Sequence, residues 1–516
     1  MKPFRIACCQ VRAHDLEDAE ANLGNLLRSL DEAGEAGAQL VLLPECSYPA
    51  YYVHDRDPYV RPGVRPFAEV TALFAEKARR HGYWLAAGMA VPGDDGTLTN
   101  SGVVFSPTGE IVGRYDKSFL WHFDNNWFTP GQSFPVWDTG FVRFGILICA
   151  DSRLPEIARM LHVNGAELIC DLTAWVSWAR TPAELSTTQC EYLMPVRARE
   201  NGAWVAAADK WGTEDGTIVY AGRSTVIDPS GAIRVCAPSE GDAVVLYDIE
   251  PMTVEPVTRR PRLYRKLLDP VESLPSVQLE CEPLMPSQAA GRVAIVPGGE
   301  LWDPARAARR FAALRAQGAG VVVFGGEPGN EGWELSLAEL EAAVREHGGV
   351  AVAGVFTNAC HWRQSAAIVT ERRTYDHLAT HGRGLEVGET PPSIVPTPAG
   401  NLGVLVGDEG LVPEVARCLA LEGADLLAWV SFEHNDMTER FARTRSDENK
   451  VYTAAAWPGG GLVTSPDGAV ITAIPAGLDV AMTATTNLAL SRAKERAPGT
   501  LVIRNRFPAA YGALCR

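Results

Sequence analysis

The amino-acid sequence predicts a protein of the α/β class that contains the same domain twice, and two observations carry this prediction. In the first 250 residues, short apolar strand patterns alternate with amphipathic helical patterns, which is typical of a sheet with helices on its outer face. Four segments of this half then recur, in the same order, in the second half. A chain of 516 residues is long enough for two domains of this size.

Hydrophobic periodicity predicts the elements of the first half in order. Apolar runs and alternating patterns predict strands at residues 4–10, 40–43, 83–91, 100–105, 111–117, 142–148, 168–172, 204–208, 222–228 and 243–249. Helical spacing predicts helices at residues 19–36, 66–81, 150–164 and 184–201. Gly37 follows the first helix as its stop signal, and Pro107, Thr108 and Gly109 predict a turn between two strands.

The repeat is clearest at ILICADSRLPEIARMLHVNGAELI, which begins at Ile146 and matches VLVGDEGLVPEVARCLALEGADLL, which begins at Val404. Three further pairs keep the order: HGYWLAAGM and HGGVAVAGV, RARENGAWVAAA and RSDENKVYTAAA, and DPSGAI and SPDGAV. A period of this length indicates duplication of a whole domain. We therefore predict domains at residues 1–250 and 290–516, joined by a proline-rich, charged linker at 251–289 that runs as an extended arm.

The composition favours a small-molecule substrate over nucleic acid or an anionic membrane as partner, because the net charge is −16 and Lys and Arg are not clustered. No stretch reaches 18 apolar residues, and the N-terminus lacks a signal-peptide core. The 11 cysteines have no CxxC spacing, which indicates reduced thiols and a cytoplasmic protein. Because HExxH and zinc-finger spacing are absent from the sequence, we expect neither a metal nor another cofactor.

Three residues beside predicted strands have the chemistry of a covalent hydrolase. Cys149 stands between an apolar strand and a helical pattern, so a helix N-terminus is expected to favour its thiolate and to offer N–H groups to an oxyanion. Glu45 follows LVLL and could act as a base, while Lys117 in GRYDK could stabilise negative charge. For each residue alone, a buried packing cysteine or a solvated loop charge is the alternative.

With these flanks, the first half resembles the nitrilase superfamily of carbon-nitrogen hydrolases, through LLPE, GRYDK, FTPG, GILICADSRLPEIAR, RARENGAWVAAA and VIDPSG. The resemblance implies a four-layer α-β-β-α sandwich with a Glu-Lys-Cys triad. Glu45 would be the general base, Lys117 the stabiliser of the tetrahedral intermediate, and Cys149 the nucleophile that forms a thioester. Ala150 would donate its backbone N–H to the oxyanion, and Asp124 would stand where many members have a second glutamate.

The residues from Cys149 to Arg153 resemble the Cys-x-Asp-x-Arg pattern of amidases and N-carbamoyl amide hydrolases and differ from the Cys-Trp-Glu of true nitrilases. The resemblance therefore predicts an amidohydrolase that releases ammonia from a small linear carboxamide. An N-carbamoyl amino acid or ureido hydrolase is the enzymatic alternative, and a noncatalytic binding or regulatory protein of this fold is the other. Tyr51, Arg153 and Trp175 are the predicted substrate-binding residues.

The second repeat holds different residues at the three positions of the triad. By sequence alignment, Gly407 replaces the cysteine, His377 the lysine and Gly326 the glutamate, with Glu327 one position away. We therefore predict a degenerate, noncatalytic domain. Members of the superfamily commonly pair through the helices after the nucleophile strand, so we also predict that the two repeats pair within the chain, with further homo-oligomers left open.

Overall fold

The computed structural model describes residues 1–179, 181, 183–284, 290–299, 303–326, 333–358, 362–382, 387–391, 393–475 and 477–516. Within these ranges, the chain forms two units. The first comprises Met1–Pro256 and Ala497–Thr500, and the second comprises Val257–Arg496 and Leu501–Arg516. No helix in the described ranges is both long enough and apolar enough to cross a membrane.

The first unit is built from many short strands and a few helices. Its strands β1–β14 are Phe4–Arg12, Leu40–Tyr48, Trp84–Pro92, Leu98–Phe105, Ile111–Asp116, Val136–Asp138, Arg143–Leu147, Leu168–Leu172, Trp204–Ala208, Lys210–Glu214, Ile218–Ala221, Thr225–Ile227, Ile233–Cys236 and Ala243–Ile249. Its α-helices α1–α5 are Ala19–Glu35, Phe67–His81, Asp124–Trp127, Pro155–Val163 and Met194–Asn201. Short 3₁₀ turns cover Leu16–Asp18, Pro58–Val60 and Cys149–Arg153, and a π-helical turn covers Gln189–Leu193.

Two sheets form the middle of the first unit. One has the strand order β11-β10-β1-β2-β3-β4-β5, with β14 paired to β1, and the other has the order β13-β12-β9-β8-β7-β6. Strands β1, β2 and β3 are parallel to one another, as are β7, β8 and β9. Helices α1 and α2 pack on the first sheet and α4 and α5 on the second, while β2 faces β8 and β9. This arrangement is the four-layer sandwich that the resemblance implied.

The sequence explains why these layers form. Leu23, Leu26 and Leu30 recur at helical spacing on α1 and are buried against the first sheet. Strands with both faces covered read as continuous apolar runs, and β2 is buried along its whole length. The carboxyl ends of β2, β7, β8 and β9 lie where the two sheets face each other, which is where α/β proteins place functional side chains.

The second unit repeats this plan. Its strands β15–β26 are Ala290–Val296, Val321–Phe324, Val350–Asn358, Trp362–Thr370, Thr374–Leu378, Val395–Thr397, Gly400–Val406, Leu426–Val430, Tyr452–Trp457, Gly460–Thr464, Val470–Ile474 and Met482–Asn487, and β27 and β28 follow at Glu495–Ala497 and Thr500–Leu501. Its helices α6–α11 are Pro275–Glu280, Pro304–Ala316, Trp333–His347, Pro413–Leu421, Thr438–Asn449 and Leu488–Arg492. Its 3₁₀ turns are Pro261–Leu263, Arg265–Leu268, Val271–Ser273, Gly407–Leu411 and Pro508–Cys515.

The two sheets of the second unit have the strand orders β19-β18-β17-β16-β15-β26 and β20-β21-β22-β23-β24-β25. The first order matches β5-β4-β3-β2-β1-β14, without a counterpart of β10 and β11 among the described residues, and the second matches β6-β7-β8-β9-β12-β13. The four segments that recur in the sequence therefore lie on equivalent elements. The segment predicted as an extended arm contains short 3₁₀ turns and helix α6, and the second unit begins within it, at Val257.

The structure differs from the predicted elements at two places that bear on the site. Strand β2 continues through Tyr48, so Glu45 lies inside the strand instead of after it. Cys149 begins a 3₁₀ turn, and the α-helix starts only at Pro155. The predicted position of Cys149 at the N-terminus of an α-helix is therefore wrong, because the chain first makes the tight turn Cys149–Arg153.

Candidate active site

The three ionisable side chains predicted from the first half, Glu45, Lys117 and Asp124, form one buried cluster. The Lys117 ammonium Nζ donates to Glu45 Oε1 and to Asp124 Oδ2, both at 2.6 Å. Each of the three side chains is at most 1% exposed. A lysine between two carboxylates in a dry interior is held in one position, which is the requirement for a preorganised positive charge.

The charges of this cluster shift one another's ionisation. Burial raises the pKa of Glu45, the Lys117 ammonium lowers it, and the Asp124 carboxylate raises it again, so that the net direction is upward. Burial alone would lower the pKa of Lys117, but Asp124 and Glu45 hold it well above its ordinary value. Lys117 therefore stays charged, while Glu45 has a proton affinity suited to a general base.

Two carboxylate oxygens of the cluster remain available as hydrogen-bond acceptors. Asn100 Nδ2 donates to Glu45 Oε1 at 2.7 Å, and the Trp121 backbone N–H donates to Asp124 Oδ2 at 2.9 Å. Glu45 Oε2 and Asp124 Oδ1 have no hydrogen-bond partner within the described part of the chain. Buried carboxylate oxygens without a partner cost folding free energy, and such groups are typical of sites that bind a ligand or a water.

Cys149 lies beside this cluster in a strained conformation. Its φ is +47°, in the left-handed region that disfavours a residue with a Cβ. Its backbone N–H donates to Asp171 Oδ1 at 2.8 Å, and its thiol donates to the Ala174 carbonyl oxygen at 3.6 Å. These contacts fix both the turn and the direction of the thiol.

Burial raises the pKa of the Cys149 thiol well above its ordinary value, the charge of Glu45 raises it further, and Lys117 opposes both. The thiol is therefore neutral at rest and needs a base to become a thiolate. The expectation that a helix N-terminus favours the thiolate does not hold here, because the adjacent segment is a 3₁₀ turn and the buried carboxylates dominate. Ala150, the next residue, is buried in the same turn, and its role as oxyanion donor stays a prediction.

Asp151 anchors the turn that carries Cys149. Its Oδ1 accepts from the backbone N–H groups of Ser118 and Phe119, at 3.1 and 2.7 Å, directly after Lys117. Its Oδ2 accepts from the Tyr115 hydroxyl at 2.7 Å and from the Ile148 N–H at 2.9 Å. One carboxylate therefore ties the segment after the catalytic lysine candidate to the turn of the cysteine.

The three predicted substrate-binding residues lie in different surroundings. Tyr51 is buried among apolar side chains, packs edge-on against Tyr220 at 6.4 Å, and has a hydroxyl whose pKa is raised well above its ordinary value by burial and then by Asp124 and Glu45. Trp175 is fully buried, and its backbone N–H donates to Asp209 Oδ1 at 2.8 Å. The Tyr51 hydroxyl is therefore close enough to feel the charges of Asp124 and Glu45. Trp175 comes after β8, the strand that faces β2, and β2 carries Glu45.

Arg153 is engaged by protein groups. Its guanidinium donates to Gln189 Oε1 at 2.8 Å and to Thr188 Oγ1 at 3.2 Å, and it stacks on the Trp121 ring at 5.0 Å. Only 7% of the residue is exposed. These contacts hold the Arg153 guanidinium against Gln189 and Trp121, and its contact with substrate stays a prediction.

Sequence reasoning missed three side chains of the site: Asn100 on Glu45, Asp171 on the Cys149 N–H, and Gln189 against Cys149. Asp171 sits inside the apolar strand LICDL, and a carboxylate in a buried strand is a signal that could have been noticed. Asn100 and Gln189 carry no such signal, because polar amides are common at the start of strands and on the surface of helices. Their roles depend on which elements meet in three dimensions.

The second unit has no counterpart of the cluster among the residues that the structure describes. Gly326 N–H donates to the Ser431 carbonyl as Glu45 N–H donates to that of Thr173, and Gly407 has a φ of +55°. Gly326 and Gly407 therefore occupy the predicted positions. Glu327, predicted beside Gly326, lies outside the described residues.

The equivalence of His377 with the lysine is wrong. In the strand ladder, the backbone N–H of Ala379 donates to the Gln364 carbonyl as that of Lys117 donates to the Asn100 carbonyl, so Ala379 holds the lysine position. His377 instead bonds the Glu409 carboxylate, at 3.0 Å, in the way that the Tyr115 hydroxyl bonds Asp151 in the first unit. The loop before this strand, residues 106–110 in the first unit and 371–373 in the second, differs in length, so the aligned residues are not in structural register.

The space of the missing side chains is filled. A Cβ on Gly326 would overlap the ring of Phe432, and a Cβ on Gly407 would overlap the side-chain amide of Gln364. Larger neighbours have therefore moved into the volumes that a glutamate and a cysteine side chain would need at these two positions.

The comparisons with known proteins concern the first half of the chain. The family model described as carbon-nitrogen hydrolase matches residues 5–259. A protein of Pyrococcus abyssi named nitrilase is 32% identical over 248 residues, which are 48% of this chain and 89% of that protein. The human omega-amidase NIT2 is 30% identical over 261 residues, 48% of this chain and 90% of its own length. A solved amidase from Nesterenkonia sp. aligns with 27% identity and a TM-score of 0.43, over 48% of this chain and 90% of its own.

Proposed function

Because the chain belongs to the carbon-nitrogen hydrolase family, the nitrilase superfamily, and is a hydrolase of carbon-nitrogen bonds, we propose that its first unit hydrolyses a small linear carboxamide. The products would be the carboxylic acid and ammonia. One observation carries this proposal: Lys117 is fixed between two buried carboxylates, and the free Glu45 Oε2 lies in the same site as the Cys149 thiol. An amide is favoured over a nitrile by the residues that follow Cys149 and by the omega-amidases among the relatives.

In the first half-reaction, Glu45 removes the proton from the Cys149 thiol and the sulfur attacks the carbonyl carbon of the amide. The carbonyl oxygen becomes an oxyanion that Lys117 and the Ala150 N–H stabilise. Glu45 then returns the proton to the departing nitrogen, the carbon-nitrogen bond breaks, and ammonia leaves. A thioester between Cys149 and the acyl group remains.

In the second half-reaction, water attacks the thioester carbonyl while Glu45 takes one of its protons. The second tetrahedral intermediate uses the same two donors, Lys117 and Ala150. When the carbon-sulfur bond breaks, Glu45 returns the proton to the thiolate and the carboxylic acid is released. One water is consumed in the cycle, and the enzyme ends in its starting protonation state.

Asp124 has two roles in this scheme. Its Oδ2 holds the Lys117 ammonium, so that the positive charge points at the oxyanion without moving during the reaction. Its Oδ1, which has no partner in the described residues, is available to accept an N–H of the substrate amide. A ureido group also carries such an N–H, so this contact alone does not separate an amide from an N-carbamoyl substrate.

The second unit is proposed to be noncatalytic, because a glycine stands at each of the cysteine and glutamate positions and an alanine at the lysine position. Without a nucleophile, an acyl-enzyme cannot form there. Its fold is retained around a site whose volume has been filled.

The test is ammonia release from a panel of short aliphatic amides, ω-amides of dicarboxylic acids, N-carbamoyl amino acids and nitriles. Cys149→Ala is the inactive control, and Gly407→Ala is the matched change at the equivalent position of the second unit. Turnover of an amide, abolished by Cys149→Ala alone, supports the proposal. Release of carbon dioxide together with ammonia would replace it by the ureido hydrolase. Ligand-induced stabilisation without turnover would favour a binding protein.

A further inference from the structure

Gln189 is a polar side chain within hydrogen-bond distance of the Cys149 sulfur that the reaction scheme does not use. It is the first residue of the π-helical turn Gln189–Leu193, and it is 3% exposed. π-Helical turns are uncommon, and they occur frequently at functional sites. The local widening of the helix places Gln189 under the turn Cys149–Arg153 instead of in solvent.

The amide of Gln189 has a defined orientation. Its Oε1 accepts from the Arg153 guanidinium at 2.8 Å and from the Thr187 hydroxyl at 3.1 Å. A guanidinium can only donate, so the oxygen and not the nitrogen must face Arg153. The Nε2 group is thereby directed to the opposite side, toward Cys149.

Three acceptors surround Gln189 Nε2. The Cys149 carbonyl oxygen lies at 3.1 Å, the Ser152 hydroxyl at 3.4 Å and the Cys149 sulfur Sγ at 3.8 Å. An amide nitrogen carries two hydrogens. One satisfies the carbonyl, and the other is shared between the hydroxyl and the sulfur.

The surroundings of Sγ suit a neutral thiol better than a thiolate. At rest, the thiol donates to the Ala174 carbonyl oxygen, whose lone pair would repel a thiolate. The carboxyls of Glu45 and Asp171 oppose the negative charge, while Lys117 and the Thr173 hydroxyl favour it. A thiolate formed by transfer of its proton to Glu45 therefore gains from each further donor aimed at the sulfur.

We propose that Gln189 donates a hydrogen bond from Nε2 to the Cys149 thiolate, and that Arg153 is the positioning residue that holds the Gln189 amide in the donating orientation. The donor is neutral, so it stabilises the thiolate without forming an ion pair that attack on the substrate would have to break. This assignment rests on the proposed function in one respect, that Cys149 is the nucleophile. In this assignment Arg153 orients Gln189 and does not contact the substrate.

The test is the pH dependence of Cys149 alkylation by iodoacetamide, followed by mass spectrometry of the peptide that contains Cys149. Alkylation reports the thiolate and needs no turnover. In Gln189→Met, which keeps the length but removes the donor, we expect the alkylation rate at a fixed pH near neutrality to fall about tenfold, the effect of one lost hydrogen bond to a charge. The alkylation profile should move to higher pH.

Ser152→Ala is the matched control. The Ser152 hydroxyl donates to the same Cys149 carbonyl oxygen at 2.7 Å and lies beside Gln189 Nε2, but it has no contact with Sγ. If Gln189 acted only by holding the turn, both variants would behave alike. An unchanged alkylation profile in Gln189→Met, or an equal shift in Ser152→Ala, would overturn the proposal.

Arg153 is tested in the same assay. Arg153→Met should shift the profile in the same direction, because the Gln189 amide is then free to rotate, and Arg153→Lys should restore part of the rate by donating again to Oε1. Should Gln189→Met not fold, Gln189→Asn gives the same readout, since its shorter side chain withdraws the amide from the sulfur. A shifted profile without any amide turnover would reject the proposed function and keep this inference. Amide turnover with an unshifted profile would reject this inference and keep the proposed function.

Discussion

Replacement of the proposed base by its neutral isostere, Glu45→Gln, should move two properties of the enzyme in opposite directions. A glutamine can still accept from Asn100 and Lys117 through its Oε1, so the shape of the cluster is preserved. It can neither take the Cys149 proton nor carry a negative charge. Loss of the proton acceptor affects turnover. Loss of the negative charge affects the ionisation of the Cys149 thiol.

The magnitude for turnover follows from the role of the base. A positioned general base typically contributes a factor of about 10² to 10⁴, or about 3 to 5 kcal/mol of transition-state stabilisation, and we expect kcat/KM to fall by this amount. The thiol responds differently. After burial, the charge of Glu45 is the largest influence that raises the pKa of Cys149, while Lys117 lowers it. Removing the carboxylate leaves the lysine less opposed, so the pKa of Cys149 should fall.

The assay pairs initial rates of ammonia release with the pH profile of Cys149 alkylation in the same preparations. Asp209→Asn is the control, because Asp209 is also a buried carboxyl, with a pKa held well above its ordinary value by burial, and it lies outside the lysine cluster. We expect Asp209→Asn to leave both properties close to those of the unchanged protein. If Glu45→Gln alkylates more slowly at neutral pH, general damage to the site explains the lost turnover and the reasoning fails.

Three further predictions follow. Burial holds the pKa of Asp171 well above its ordinary value, so Asp171→Asn should keep turnover within about threefold in steady-state assays. Asp171→Leu leaves the buried Cys149 N–H without an acceptor. This variant should lose about 1 to 3 kcal/mol of unfolding free energy, measured with denaturant. Asp151→Asn should lower the free energy of unfolding by a similar amount, measured by thermal melting. Both Asp151 oxygens accept hydrogen bonds from backbone N–H groups, and an asparagine has only one oxygen that can accept them. The predicted pairing of the repeats would be contradicted by a fragment of residues 1–250 that is a stable, active monomer in light scattering.

The candidate site was predictable where local pattern and chemistry coincide. Glu45 lies within a buried apolar strand, Cys149 comes just after another, and Lys117 directly follows β5, and these strands can be identified from the sequence. Each residue alone is a weak signal, and only the three together, with these flanking sequences, indicate a function. Their convergence then depends on the carboxyl ends of β2 and β5, which run in the same direction in one sheet, meeting the carboxyl end of β7 in the other sheet.

Other parts of the site depend on geometry that no local pattern encodes. The task of Arg153 follows from the position of Gln189, which lies 36 residues away and is brought near by a π-helical turn. The sequence gives no sign that this turn departs from the α-helix predicted for residues 184–201. The tight turn after Cys149 was hidden in the same way, because its residues are compatible with the start of a helix.

A buried Arg–Glu ion pair occurs in both units, and this conserved contact serves the fold rather than the reaction. The pair Arg445 and Glu448, at 2.6 Å, repeats the pair Arg197 and Glu200, at 2.5 Å. In both units the arginine Nε also donates to a carbonyl of the turn that follows the nucleophile strand, at 2.9 and 2.8 Å. These buried pairs are satisfied on both sides, and removal of one partner would leave an uncompensated charge, so they are kept whether or not the unit reacts.

The reacting groups have the opposite energetics. Glu45 Oε2 and Asp124 Oδ1 are buried without a partner in the described residues, and each such oxygen costs about 1 to 3 kcal/mol. These unpaired oxygens destabilise the fold, and only their use in catalysis offsets that loss. In the second unit, the side chains of Phe432 and Gln364 occupy the space beside the glycines at positions 326 and 407. Restoring a cysteine at Gly407 alone would therefore not restore a site, because Gly326 and Ala379 would still stand at the positions of the glutamate and the lysine.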